Sequence, residues 1–363
     1  MSTLPMPRNP DNPARRQFPL VPAAFAPGEI GRLSAELNAR WVAPRELISA
    51  WDRLGMTPAP PRPDHWPLRF LQLEVINACN FRCPLCSTLD HDGVTRRRMT
   101  LDEFREVVGP AENDLLGVAL YGNRGEPLLN SELPAMIAHL KTHTRALTSI
   151  STNGSRVDAE RAHALMEAGL TQLIFAIDGI SDASYSAYRV GGNLKSVLAN
   201  LKTACELKRR HGFHTRIVWQ FIPMATNEHE IDHVGRVGYE LGVDEVRCKL
   251  SRSASRSVAF RPSQQKDRPA DVIAEDHFDC PYGLDRFYVD PNGDCYPCCY
   301  GEGKGLLAGN ALETPLDRIW QSEAMWTLRR SFLRQQEFHP FCSATCNQGF
   351  RREAAPNVIL GKD

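Results

Sequence analysis

The chain has 363 residues, 42% hydrophobic and 24% charged, a composition that suits a globular protein with one large domain and a smaller one. Lys+Arg and Asp+Glu both number 43, so no global field attracts nucleic acid or an anionic membrane, and neither is expected as a partner. The N-terminus lacks a secretory pattern and no apolar run is long enough to span a bilayer, so a cytoplasmic setting is expected, in which 11 cysteines serve metals or catalysis rather than disulfides.

Residues 1–67 read as a separate extension with 13 of the 26 prolines. Inside it, residues 28–54 suggest one or two short amphipathic helices, since Ile30, Leu33, Leu37 and Trp41 are helically spaced and Pro44 interrupts. Trp41, Trp51 and Trp66 are expected to pack onto the main domain. From residue 68 strands and helices alternate. Strands are predicted over 70–76, 117–121, 147–152, 172–178, 216–222 and 243–250. Between them lie a helix opened by the capping box Thr100-Leu101-Asp102-Glu103 and helices over 131–144, 158–168, 194–210 and 228–241. Glycines at 169, 212 and 242 mark three helix ends. This alternation, running over residues 68–250, predicts an α/β fold: a parallel sheet with helices outside, as an open sheet or a partial barrel. Residues 251–279, basic at Arg252, Arg256 and Arg261, read as linker. Residues 280–363 read as a second domain with six cysteines, little regular periodicity, a strand over 287–290, a hairpin turn over 291–294 and a strand returning from Cys295.

Cys79, Cys83 and Cys86 follow the first strand at Cys-x3-Cys-x2-Cys spacing. In a strand–helix barrel the loops after strands carry the chemistry. Three thiolates from one loop can hold three irons of a [4Fe–4S] cube and leave the fourth open to a cosubstrate. Zinc, which usually takes a fourth ligand, and chance are the competing readings; the position after strand one favours iron–sulfur.

This arrangement resembles the radical S-adenosylmethionine (SAM) superfamily. Gly122-Asn123-Arg124-Gly125-Glu126-Pro127 after strand two looks like the family's glycine-rich acidic motif, Ser151-Thr152-Asn153-Gly154 like its Thr-Asn-Gly turn, and Ala176-Ile177-Asp178-Gly179 with Tyr188-Arg189 like its strand-four motif. The resemblance covers residues 70–250. It implies a partial (β/α)6 TIM-like barrel and a SAM-binding [4Fe–4S] cluster on Cys79, Cys83 and Cys86. It also implies that Gly125, Glu126, Asn153, Asp178 and Arg189 contact SAM, with Glu126 toward the amino group and Arg189 toward the carboxylate. Two departures stand out: Leu85 where the family usually has an aromatic residue, and Ala176 where it usually has serine. The implied reaction is one-electron cleavage of SAM to a 5′-deoxyadenosyl radical that takes hydrogen from an unactivated carbon, with flavodoxin or ferredoxin as electron donor.

The C-terminal region resembles the SPASM or twitch auxiliary-cluster domains through Gly293-Asp294-x-Tyr296-Pro297-Cys298-Cys299 and Gly309-Asn310 followed by Leu316, Ile319 and Trp320. Only two cysteines follow, so one auxiliary [4Fe–4S] cluster is expected, on Cys280, Cys298, Cys342 and Cys346, with Cys295 or Cys299 able to replace one of them. A four-cysteine zinc knuckle is the alternative. Cys205, on a helix, reads as core packing. Cys248, between Arg247 and Lys249 on strand six, is a buried core thiol or, if it faces the barrel interior, a hydrogen donor to a substrate radical.

The favoured function is dehydrogenation or epimerisation of a small polar metabolite, such as an amino sugar or aminocyclitol, in natural-product biosynthesis. Gln220, Arg247, Lys249 and Arg252 are candidate substrate contacts. Peptide or protein maturation is the second reading, set lower because residues 1–67 look too short and proline-rich for a winged-helix leader-binding module. A non-enzymatic zinc protein is the remote third reading, and it leaves Glu126, Asn153, Asp178 and Arg189 unexplained together.

Overall fold

The computed structural model describes residues 65–86, 96–249, 259–260, 280, 282–334, 337–342 and 358–360. The expected helices over 28–54, Trp41 and Trp51, most of the linker, and Cys346 lie outside the described residues.

Six strands form the parallel core: β1 (Phe70–Leu73), β2 (Gly117–Ala119), β3 (Leu147–Thr152), β4 (Gln172–Ala176), β5 (Arg216–Phe221) and β6 (Glu245–Cys248). They pair in sequence order, and β1 does not pair with β6, so the sheet is open and not closed into a barrel. The helices between them are α1 (Leu101–Val108), α2 (Leu133–His143), α3 (Ala159–Glu167), α4 (Asp182–Tyr188), α5 (Leu194–His211) and α6 (Ile231–Glu240). The C-terminal region adds β7 (Arg286–Val289), β8 (Asp294–Tyr296), β9 (Gly309–Asn310), α7 (Leu316–Trp320), α8 (Glu323–Arg334) and β10 (Val358–Ile359).

Local signals account for many of the boundaries. Thr100 and Glu103 form the reciprocal capping box of α1. Asp158, Ser181 and Asn193 each cap a helix by accepting a backbone N–H. Gly212 ends α5 in the left-handed region, after a last turn of Lys208, Arg209, Arg210 and His211 that complements the helix dipole. All five residues of β4 are buried, as a central parallel strand covered on both faces requires.

The helix-facing core runs through Leu71, Leu73, Val118, Ile150, Leu173, Phe175, Trp219 and Val246. The alternate positions, among them Glu74, Tyr121, Ser149, Gln220 and Arg247, face the opposite, inner side.

The C-terminal region continues this same sheet. β7 pairs in parallel with β1, β8 and β9 follow antiparallel, and β10 pairs antiparallel with β6 at the other edge. That region also holds more regular structure than its sequence suggested. In α8 the buried Met325, Leu328, Arg329 and Phe332 recur at helical spacing. Among the described residues no helix is long and apolar enough to cross a membrane.

Candidate active site

Parallel strands end on one side, so the loops after β1 to β6 gather there. After β1 the chain leaves the sheet: Ile76 bridges Arg98, and the Met99 N–H donates to the Val75 carbonyl. The segment Cys79 to Cys86 is thereby fixed at its root. Its middle docks on the loop after α4, where the Arg82 N–H donates to the Val190 carbonyl. The buried Phe81 ring fits against Gly192, where an added Cβ would lie 2.7 Å from it.

Cys83 is buried, and Cys79 and Cys86 are half-buried. Burial pushes the Cys83 thiol up to about 11; Arg189 opposes this, while Cys86, Asp178 and Cys79 add to it. Burial also raises Cys79, against a backbone hydrogen bond from Phe81 and with contributions from Glu126 and Cys86. The three sulfurs thus act on one another. Among the described residues no three ligand side chains converge tightly enough for a single metal ion. Three mutually coupled thiols on one loop can hold three irons of a [4Fe–4S] cube and leave the fourth open. Binding such a group must displace the thiol protons that burial retains.

The other candidate residues surround this loop. An added Cβ on Gly125 would sit 1.7 Å from the Ile76 carbonyl oxygen, so its glycine is required by contact with the cysteine loop's root. The Glu126 N–H donates to the Ala78 carbonyl (2.9 Å). Its carboxylate is buried and accepts from Thr152 Oγ1 (2.6 Å), the Asn153 N–H (2.7 Å) and the Leu128 N–H (3.2 Å). Glu126 therefore ties the loops after β1, β2 and β3 together, and most of its acceptor capacity is already used. Asn153 Nδ2 lies 3.9 Å from Cys79 Sγ and donates to Asn80 Oδ1 (3.0 Å), while Asn80 Nδ2 donates to Ser155 Oγ (2.9 Å). Asp178 is fully buried; it accepts from the Ile222 N–H (2.7 Å) and from Arg189 Nε (2.7 Å), with Arg189 Nη2 at 2.6 Å. This pair aims Arg189 Nη1 at Cys83 Sγ, 4.0 Å away. Asn80, Ser155 and Glu74 were not singled out from the sequence. Glu74 accepts the Arg124 and Gly125 N–H groups (2.6 and 2.9 Å), and only its neighbours in space reveal that role.

The sequence leaves Cys248 two readings, and its side of β6 bears on them. On β6, Val246 packs where an added Cβ on Gly238 of α6 would lie 2.4 Å from it, so the alternate residue Cys248 shares the helix-facing side. Arg247 and Lys249 face inward. Burial and Asp178 push the Cys248 thiol up to about 11, and neither flanking cation acts on it. Cys248 thus belongs to the helix-facing core cluster.

Cys280, Cys298 and Cys342 line one cavity together with Tyr282, Leu328, Phe332 and Phe341. Cys346, the fourth expected ligand, lies outside the described residues. Neither Cys295 nor Cys299 lines this cavity. Cys295 packs in the helix-facing core and donates to the Gly293 carbonyl. Cys299 packs with Tyr288 and Tyr296, and Lys249 is among its electrostatic neighbours.

Comparison with known proteins agrees with this division. Residues 73–234 match the model of the radical SAM superfamily, and residues 280–347 match SPASM, an iron–sulfur cluster-binding domain. A GTP 3′,8-cyclase from Xanthomonas axonopodis pv. citri is 30% identical over 173 residues, covering 46% of this chain and 50% of the relative. This chain spans about half the length of the GTP 3′,8-cyclases it matches. A PqqA peptide cyclase from Streptomyces rochei is 24% identical over 294 residues, 71% of this chain and 77% of the relative. The crystal structure of Streptococcus suis SuiB bound to S-adenosylmethionine shares the fold, with a TM-score of 0.60 at 14% identity over 84% of this chain and 77% of that one.

Proposed function

We propose that this chain, which belongs to the radical SAM superfamily and carries a SPASM iron–sulfur domain after its core, abstracts hydrogen from a carbon of a small polar metabolite of amino-sugar, aminocyclitol or carbohydrate-like type, giving dehydrogenation or epimerisation in natural-product biosynthesis. Family membership makes it an enzyme that uses a [4Fe–4S] cluster, auxiliary iron–sulfur and SAM. When bound, the cluster and SAM supply reductive cleavage of the sulfonium and the hydrogen-abstracting radical. In this reading Cys79, Cys83 and Cys86 hold the first cluster, and Cys280, Cys298, Cys342 and Cys346 hold the auxiliary one. Gly125, Glu126 and Asn153 shape the SAM site, and Asp178 orients Arg189 toward it. A reducing cytoplasm and a flavodoxin- or ferredoxin-like donor suit this chemistry.

The observation that carries the substrate class is the inner wall of the sheet. Gln220, Arg247 and Tyr121 are polar groups facing inward, and Lys249 joins them just past β6. Such groups recognise hydroxyl, amino and acidic substituents on a compact ligand. A peptide maturase is the second reading, favoured by the match to PqqA peptide cyclase over most of the chain and by a fold shared with a SuiB structure bound to the precursor peptide SuiA.

The deciding experiment uses anaerobically reconstituted protein with reductant and SAM. Carbon-deuterated amino sugars and aminocyclitols are offered, and deuterium is sought in 5′-deoxyadenosine. Transfer from a small metabolite supports the reading; transfer only from a peptide replaces it with the second. Zinc in place of iron would defeat both.

A further inference from the structure

The inner face at β5 and β6 carries more positive charge than its own carboxylate balances. Alternation along the two strands puts Arg216, Glu245, Arg247 and Lys249 on the side away from the helices. Glu245 is buried, and the Arg216 and Arg247 guanidiniums both reach its carboxylate. One anion is thus shared by two cations. Lys249 adds a third cation, and its electrostatic neighbours among the described residues are Cys299 and Arg247, with no carboxylate. Among the described residues, three cations there face one carboxylate.

Like charges enclosed by protein repel strongly unless an anion relieves them. Lys249 is exposed, and the alternation of β6 carries it to the inner side of the sheet, so a solute can reach it from that side. It follows the C-terminal end of β6 directly, on the same rim as Asn153 after β3 and Asp178 after β4. Gln220 pairs across the sheet with Arg247, and the Tyr121 phenol, which shares a hydrogen bond with Ser149, lies within electrostatic reach of Arg247. An exposed cation on the inner face, backed by a second cation and flanked by neutral polar groups, is the pattern that receives an anionic oxygen group.

We propose that Lys249, with Arg247 behind it, holds a carboxylate or phosphate group of the substrate and so selects an acidic or phosphorylated metabolite over a neutral one. The proposal rests on the metabolite reading above and narrows it. The ammonium donates charge-assisted hydrogen bonds to the anion and fixes where along the inner face the ligand sits, which determines the carbon presented for hydrogen abstraction.

The test is equilibrium dialysis of full-length, reconstituted protein at low ionic strength with labelled inorganic phosphate, malonate or glycerol. One anion is expected to bind per chain, with neutral glycerol excluded, and the tighter of phosphate and malonate distinguishes a phosphate ester from a carboxylic acid. Lys249→Met should weaken that binding about tenfold or more, and Lys249→Arg should largely restore it. SAM binding, measured in the same cells, should stay within about twofold. Three results overturn the proposal: neither anion binds at about 10 mM, binding survives Lys249→Met, or the variant loses SAM binding instead. The outcome is independent of turnover. A protein that binds neither anion but transfers deuterium from a neutral sugar loses this proposal and keeps the metabolite reading. One that binds anion but consumes only peptide loses the metabolite reading.

Discussion

The two cysteine sites differ in their walls. The first is set in polar groups: Asn80, Asn153 and Ser155 interlock beside Cys79, and the Asp178–Arg189 pair stands over Cys83. The second is a cavity walled by rings and aliphatic chains, with Tyr282, Leu328, Phe332 and Phe341 beside Cys280, Cys298 and Cys342. A polar wall with directed donors can orient a charged cosubstrate and follow changes in its charge. An apolar wall excludes water and shields a fully ligated cluster. The two groups of thiols thus sit in surroundings of opposite polarity, as the proposed open and closed roles require.

The sharpest way to test that contrast is to empty each site in turn. Cys83→Ala should remove about four irons per chain and all SAM cleavage, and Cys298→Ala should remove a different set of about four irons, as counted by iron and sulfide analysis. Equal loss from both variants would mean the sites assemble as one. Next in size is Asp178→Asn, which leaves the Arg189 guanidinium without its carboxylate. Breaking a buried pair of this kind should cost about 3–5 kcal/mol, read as a lower denaturation midpoint. At the second site, Phe332→Ala should cost about 3 kcal/mol and shorten the lifetime of the auxiliary cluster in air, because the cavity wall then admits solvent. Asn80→Ala removes the hydrogen bonds that join the cysteine loop to Asn153 and Ser155, and should cost about 1–2 kcal/mol while perturbing the first cluster's spectrum but not the second's. The smallest effect is expected at Cys248→Ala: about 1 kcal/mol of stability and unchanged product formation. Loss of product with SAM cleavage intact would return Cys248 to a chemical role and defeat its placement against the helices.

What could be read from the sequence was local. Cys79, Cys83 and Cys86 fall within eight residues, and strand–helix alternation repeats often enough to give the sheet and its order. The Thr100–Glu103 capping box and the β3 boundaries at Leu147 and Thr152 agreed with the structure to the residue, because each depends on its own few neighbours. What escaped depended on phase or on distant partners. Which side of β6 holds Cys248 is decided by the fit of Val246 against Gly238, a contact that Arg247 and Lys249 do not signal in the sequence. The choice between Cys298 and Cys299 is likewise a matter of phase between adjacent residues, one toward the cavity and one toward Tyr288 and Tyr296. Glu126 reads in the sequence as a contact to the SAM amino group, whereas its Thr152 and Asn153 donors, which come from the next strand's end, are seen only in the structure. The pairing of β7 with β1 joins residues more than 200 positions apart, beyond the reach of any local pattern.

That last pairing limits how this enzyme can be taken apart. β1 is four residues long and carries the root of the first cysteine loop, and it is hydrogen-bonded by β7 on one side and β2 on the other. Ending the chain before residue 280 would leave one side of β1 as a bare parallel edge, a template for pairing with another copy. The C-terminal region is therefore an edge guard as well as a second site. Swapping it between homologues should succeed only where the register from Phe70↔Arg286 to Leu73↔Val289 is carried across the junction.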